Sequence, residues 1–227
     1  FGYCTNLSSV TIPDSVTNMG GAVFFSCNGL TNVTIGNGLG ALQFQAFSWC
    51  RNLASVTIGN GVSWIGHEAF QYCGKLTNVT IGGSVAVIDT HAFEGCGNLN
   101  NLTLPNTTSV INTNAFSGCF SLRNMTLPDA VTNVADYAFS GCSGMTNVSF
   151  GSGLVNIGYN AFQGCAGLTA VTIPSSVTDI GVEAFYGCSS LNAINVEHDN
   201  EIYSSVDGVL LDKSQTTLIE FPGGKTG

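Results

Sequence analysis

The stretch Ala69-Phe70-Gln71-Tyr72-Cys73-Gly74-Lys75-Leu76-Thr77-Asn78-Val79-Thr80-Ile81 decides how the chain folds, because its pattern returns every 23 residues. Its cysteine belongs to a column of nine: Cys4, Cys27, Cys50, Cys73, Cys96, Cys119, Cys142, Cys165 and Cys188, with no insertion between them. Three residues before each stands a Phe, from Phe1 and Phe24 to Phe185; three after it stands Leu, or Met145 once. Six and eight residues after it come further apolar columns, such as Val33 with Ile35 and Val171 with Ile173. A fixed period of 20 to 30 residues with apolar columns in phase predicts a solenoid, in which each turn buries its face only against its neighbours.

Within one turn, Leu76-Thr-Asn-Val79-Thr-Ile81 alternates apolar and polar residues, which predicts one short parallel strand with a buried face. Gly82, and Pro or Gly at the equivalent positions, stops it. A second apolar pair, such as Val62 with Ile65, then returns to the core. Ala-Phe-x-x-Cys follows, and its spacing predicts a short helical or 3₁₀ turn on the opposite side. Nine strands at about 4.8 Å give a sheet roughly 40 Å long. Phe70, Cys73, Phe93, Cys96, Phe116 and Cys119 are the expected centre of the core.

Composition excludes several classes. Of 227 residues only 8% are charged, against roughly 25% in an ordinary chain; 44% are apolar and Gly supplies 29. Five Lys and Arg against a net charge of −9 exclude nucleic acid and anionic membrane surfaces as partners. Plentiful Phe, Val, Ile and Leu with little charge is the reverse of a disorder signature. No apolar run approaches the roughly 18 to 20 residues that span a bilayer, so no membrane insertion is expected, and no signal-like segment opens these residues.

The repeat L-x-x-V-x-I-[PG]-x-[SG]-V-x-x-I-x-x-x-A-F-x-x-C resembles the BspA-like leucine-rich repeats of bacterial surface proteins, also abundant in some parasitic protists. The resemblance covers about residues 1–196, as nine in-phase repeats with the first truncated. It implies a curved solenoid that binds proteins, often as an adhesin, outside the cell or on its surface. One departure stands out: the Asn that usually follows the strand is replaced by Ser15, Gly38, Gly61, Ser84, Thr107, Ala130, Gly153 and Ser176. No Asn amide ladder is expected at that position.

The ends break the pattern. Phe1-Gly-Tyr-Cys4 reads as the tail of a repeat whose first part is missing, and an open apolar edge predicts further chain upstream. Residues 197–227 form an irregular acidic stretch and then a predicted hairpin, Gly208–Asp212 against Thr216–Phe221. That segment is either a cap or an insert between blocks of repeats, and Pro222-Gly-Gly-Lys-Thr-Gly favours the insert with its linker.

Candidate sites are few. The cysteines read as reduced, buried thiols acting as small hydrophobes: one per turn, without a C-x-x-C pair or nearby His, they suggest neither zinc nor any cofactor. The outward face of the strands is a carpet of Asn and Thr, a candidate concave face through Asn32, Thr34, Asn78, Thr80, Asn101, Thr103, Asn124 and Thr126. Its uniformity fits equally an ordinary exposed strand face with stacked amides. The same carpet generates the sequons at Asn6, Asn32, Asn78, Asn101, Asn106, Asn124 and Asn147.

Variation gathers on the connecting side. Phe44, Trp49, Trp64, His67 and Tyr72 occupy three neighbouring turns at positions that elsewhere hold mainly small or polar residues, and they form a candidate partner-binding patch. His67, His91 and His198 make no catalytic constellation, and no nucleophile elbow, phosphate loop or zinc-protease motif is present. The acids of 197–207 lack calcium-loop spacing. The expected function is therefore a non-enzymatic, protein-binding or adhesin-like module of a larger surface protein, taking an extracellular or host protein. The alternative is a structural spacer that self-associates end to end. A carbohydrate-targeting module would rest on Trp49 and Trp64 alone.

Overall fold

The computed structural model describes residues 1–226. The first strand ladder comprises β1 (Ser9–Ile12), β2 (Asn32–Ile35), β4 (Ser55–Ile58), β6 (Asn78–Thr80), β9 (Asn124–Thr126), β11 (Asn147–Ser149), β13 (Ala170–Ile173) and β15 (Ala193–Val196). Pairing is parallel and in register at one period, as Val33 faces Val56 and Thr34 faces Thr57. Side chains alternate between core and solvent, which is what L-x-x-V-x-I requires.

Two findings differ from expectation. The second apolar pair forms a ladder of its own, so most turns carry two strands: β3 (Ala41–Leu42), β5 (Trp64–Ile65), β7 (Val87–Ile88), β8 (Val110–Ile111), β10 (Asn133–Val134), β12 (Asn156–Ile157) and β14 (Asp179–Ile180). This ladder is continuous, whereas the first is interrupted. Around Leu102–Leu104 it falls to a single bridge between Asn78 and Asn101, and β11 and β13 are not hydrogen-bonded into one sheet.

The second difference concerns Ala-Phe-x-x-Cys. No helix occurs among the described residues; the central turns instead make two consecutive tight turns, bridged by a third bond such as Glu94 N–H to His91 O. In one turn Ala92 N–H bonds Asp89 O and Cys96 N–H bonds Phe93 O, with His91 and Gly95 at the third positions at φ 59° and 69°. A positive φ at the third position is the type II signature. The N–H groups left over point along the stack: those of His91, Phe93 and Gly95 donate to Thr113, Ala115 and Ser117 of the next turn. Successive turns are thus hydrogen-bonded on this side too, which a helix would have prevented by turning the same groups inward.

The interior is built of ladders. Phe93 and Phe116 have ring centroids 5.4 Å apart at 4° between planes, and stacking runs without a gap from Phe1 to Phe185. All nine cysteines are free, eight of them buried. Each buried thiol also donates to the carbonyl of the Phe one turn back, as Cys96 Sγ does to Phe70 O at 3.1 Å. Burial pushes the thiols of Cys27, Cys73 and Cys119 up, and those of Cys50, Cys96 and Cys142 to about 12.

Side-chain ladders support the turn after the first strand, one position before the one the sequence excluded. Asn37 N–H donates to Asp14 Oδ1 (2.6 Å), Asn60 N–H to Asn37 Oδ1 and Gly83 N–H to Asn60 Oδ1 (both 2.8 Å). The carboxamide ladder exists but occupies the neighbouring column, because here the side chain reaches the next turn's N–H.

Residues 203–220 form a three-stranded antiparallel sheet: β16 (Tyr203–Val206), β17 (Val209–Asp212) and β18 (Leu218–Glu220). Asp207 and Gly208, at φ 51° and 78°, make the β16–β17 turn, the two-residue form that suits twisted strands. This unit satisfies polar groups of the last turn. Buried Asn200 donates to Pro174 O and Val177 O while accepting from Ile202 and Tyr203 N–H. Tyr203 Oη accepts from Ile180 N–H at 3.0 Å, and Glu220 Oε1 accepts from Phe185 N–H at 3.1 Å.

Candidate partner-binding surface

Trp49 and Tyr72 occupy the third position of the second tight turn, at φ 63° and 57°. In that column Gly95, Gly118, Gly141, Gly164 and Gly187 follow, all at positive φ. A glycine is the low-strain residue there, and a bulky side chain in the left-handed region costs roughly 1 to 2 kcal/mol. Trp49 and Tyr72 thus hold large rings in a strained backbone that the five following turns relieve, while Tyr3 and Ser26, earlier in the same column, also stand at positive φ (63° and 56°). The rings meet, with centroids 4.6 Å apart at 51°. The Arg51 guanidinium lies over Trp49 at 4.9 Å from its centroid. Tyr72 extends over the next turn, where a Cβ on Gly95 would stand 2.4 Å from Tyr72 Cδ1.

Polar groups that the sequence did not single out surround the pair. Gln45 Nε2 donates to Glu68 Oε2 and, one turn on, Gln71 Nε2 donates to Glu94 Oε2, both at 2.6 Å. Tyr72 Oη donates to Glu94 Oε1 at 3.5 Å. The Glu94 charge, then burial, the hydrogen bond to Glu94 and the Glu68 charge push the Tyr72 phenol above its ordinary pKa. His67 Nε2 stands 3.1 Å from Glu68 Oε1, and the His67 and His91 rings meet edge to face at 5.7 Å. His91 Nδ1 is 2.8 Å from Glu94 Oε2 but too oblique for a hydrogen bond.

The other expected members of the patch sit apart from this pair. Phe44 lies back over the preceding turn, against Gly21. Trp64 is half-buried on β5, and its Nε1–H donates to Asp89 Oδ2 at 3.2 Å, while Asn112 holds Asp89 Oδ1. Among the described residues no ring contact joins Phe44 or Trp64 to Trp49 and Tyr72. Exposed rings also occur further along, where Tyr137 and Tyr159 pair at 5.3 Å and Phe120 is 59% exposed. What sequence could have offered for Glu68 and Glu94 is their position, next to a tight-turn residue and beside a His in each of two turns.

The eight residues of the candidate concave face are all exposed. Their amides do not stack along the ladder: Asn32 and Asn78 donate to the hydroxyls of Thr31 and Thr77 beside them. Two shallow grooves, about 370 and 340 Å³, lie along this face at the interruption of the first ladder, lined by Asn101, Thr103, Asn124, Thr126, Asn78 and Thr80 among others. Among the described residues no group of His, Cys, Asp and Glu is arranged to hold a metal ion.

With this geometry in hand, comparison with known proteins is informative. The model of the BspA type leucine rich repeat region matches in six copies over residues 1–123 and 109–217. The chain belongs to the BspA-type leucine-rich repeat family. A leucine rich cell surface protein of Faecalibacterium prausnitzii A2-165 is similar at 32% identity with a TM-score of 0.69, over 98% of this chain and 56% of that one. The chain therefore spans little more than half the length of that relative. The T. pallidum leucine rich repeat protein shares the fold at 24% identity and a TM-score of 0.59, over 81% of this chain and 77% of that one. No curated protein matches the sequence. The family and these neighbours are repeat scaffolds, and the chain is read as a protein-interaction repeat module. No helix of the described residues is long and apolar enough to cross a membrane.

Proposed function

We propose that the chain is the adhesin-like, protein-binding part of a larger surface protein, and that its extracellular partner docks on the connecting side through Trp49 and Tyr72. The observation that carries this reading is the direct contact of two large rings on adjacent turns, at a position that glycine holds in the five turns that follow, with the Arg51 guanidinium over one of them. Trp and Tyr are the residues most enriched at the anchors of interfaces.

The test uses the residue that the array itself uses. The double variant Trp49→Gly, Tyr72→Gly keeps the turn geometry, so folding and circular dichroism should match the parent. Immobilised parent and variant are exposed to purified extracellular-matrix and serum proteins on a biosensor. The parent should capture at least one of them, and the variant should lose at least tenfold in affinity, as for anchor residues. Equal capture by both would overturn the reading.

A further inference from the structure

We propose that the Trp49–Tyr72 platform takes a cationic segment of its partner, an Arg- or Lys-bearing peptide, with Glu68 and Glu94 as the opposing charges. This rests on the docking reading above and names the chemistry of what docks.

Three observations converge on a cation. First, the platform already holds one: the Arg51 guanidinium lies 4.9 Å above the Trp49 ring. Ring faces carry negative quadrupole density, and Trp and Tyr attract guanidinium and ammonium groups within about 6 Å. Second, the carboxylates are fixed rather than free-swinging. Gln45 and Gln71 hold one oxygen of each at 2.6 Å; the other oxygen faces His67 Nε2 at 3.1 Å in Glu68 and Tyr72 Oη at 3.5 Å in Glu94, and a carboxylate oxygen has a second lone pair for an incoming donor. Third, a carboxylate reaches the platform itself: Tyr72 Oη donates to Glu94 Oε1 at 3.5 Å, and the charge of Glu94 pushes the phenol up. Arg51 opposes Glu68 and Glu94 locally, but the whole chain carries −9, so approach of a basic segment is favoured from a distance.

The geometry also limits the partner. Glu68 and Glu94 sit in equivalent regions of adjacent turns, each 19–22% exposed in its side chain. They can pair with side chains that reach in, not with a flat surface. An extended peptide running along the stack would place successive basic side chains over Tyr72 and Trp49. Arg suits this better than Lys, because its planar fork stacks on a ring while bonding a carboxylate.

Labelled decapeptides of Arg, of Glu and of alternating Gly and Ser serve as probes, with fluorescence anisotropy at low salt as the readout. The Arg peptide should bind the intact chain at least tenfold more tightly than the neutral one, and the Glu peptide should not bind. Glu68→Gln with Glu94→Gln keeps the shape and the amide bonds; it should weaken Arg-peptide binding roughly three- to tenfold, the scale of two half-exposed charge pairs. Trp49→Gly with Tyr72→Gly should weaken it comparably. Asp199→Asn with Glu201→Gln, remote on the terminal unit, should leave it unchanged and so excludes a general effect of net charge. Arg51→Ser should strengthen binding by removing the competing cation.

The inference is overturned if the Arg peptide binds no better than the neutral one. It is also overturned if the remote pair matters as much as Glu68 and Glu94. Loss of matrix-protein capture in the glycine variant, with none in the Glu68→Gln, Glu94→Gln variant, would keep the docking surface and sink only its cationic preference.

Discussion

Phe116 lies between Phe93 and Phe139, with ring centroids 5.4 and 5.2 Å away, and is fully buried. Offset stacking adds about 0.5 to 1.5 kcal/mol per pair beyond burial, and a cavity in a stack that cannot collapse adds more. Phe116→Ala should therefore destabilise the chain by roughly 3 to 5 kcal/mol in urea unfolding; a loss under about 1 kcal/mol would contradict the ladder. The cysteine column was legible in the sequence as interior, but its hydrogen bonds were not. A thiol was read as a small hydrophobe, and only the coordinates align Cys119 Sγ with Phe93 O. The consequence concerns reactivity. Nucleophilic thiolate is suppressed at burial-raised pKa, and only Cys4 is partly exposed. Native protein titrated with Ellman's reagent at pH 8 should react at about one thiol of the nine, and the denatured protein at all of them. Rapid native reaction of several thiols would mean the turns open readily. The left-handed residues show the limit of sequence reading at this scale. Gln45, Glu68 and His91 adopt positive φ although none is Gly, because inter-turn hydrogen bonds fix the turn more strongly than local preference opposes it.

Among the elements, the strand run of the first ladder was legible because alternation reports burial directly, while the two-residue strands of the second ladder are too short for any period to appear. Ala-Phe-x-x-Cys misled for a related reason: a three- or four-residue spacing on one face is shared by a helix and by a pair of tight turns. Asp207-Gly208 is a hairpin signal in the sequence, yet an irregular stretch is what 197–207 predicts, because four acids interrupt any apolar alternation there. The terminal unit then acquires a pH dependence from Glu220. Burial raises its carboxyl to about 7, the Phe185 N–H opposes that, and the charge of Glu183 adds to it. With a folded pKa above the usual 4.5, the folded state holds its proton over a range where the unfolded chain has lost it. The resulting stability is present below about pH 4.5 and is lost as pH rises through 7, by at most about 3 kcal/mol. Glu220→Gln keeps an acceptor for Phe185 N–H and cannot ionise. Melting of the parent should fall between pH 5 and pH 8, and that of the variant should stay level. A level parent, or an equal fall in both, would remove Glu220 as the cause. Asp212, held down to about 2 by Ser214 and by the Thr217 and Thr216 N–H groups, lies outside that window.

At the scale of the whole molecule, one repeating unit sets the architecture, and the candidate site is what departs from it. Columns identical in every turn can only tell that turns stack, so the Phe and Cys columns made the solenoid readable and said nothing of a partner. The platform at Trp49 and Tyr72 was visible as deviation from the column, yet its carboxylate neighbour Glu94 joins it across turns through a contact that one-dimensional spacing does not contain. Charge plays little part in holding the array itself. The ion-pair contacts among the described residues are three, and each involves a histidine. Screening removes little stabilisation from exposed contacts of this kind. The same screening relieves repulsion within a chain of net charge −9. The two effects have opposite signs and the second is the larger, so raising NaCl from 0.05 to 1 M (roughly a fourfold shortening of the screening length) should leave melting level or raise it by a few degrees. A clear fall with salt, followed by circular dichroism at 218 nm, would show that ion pairs rather than stacked rings and inter-turn hydrogen bonds carry the fold.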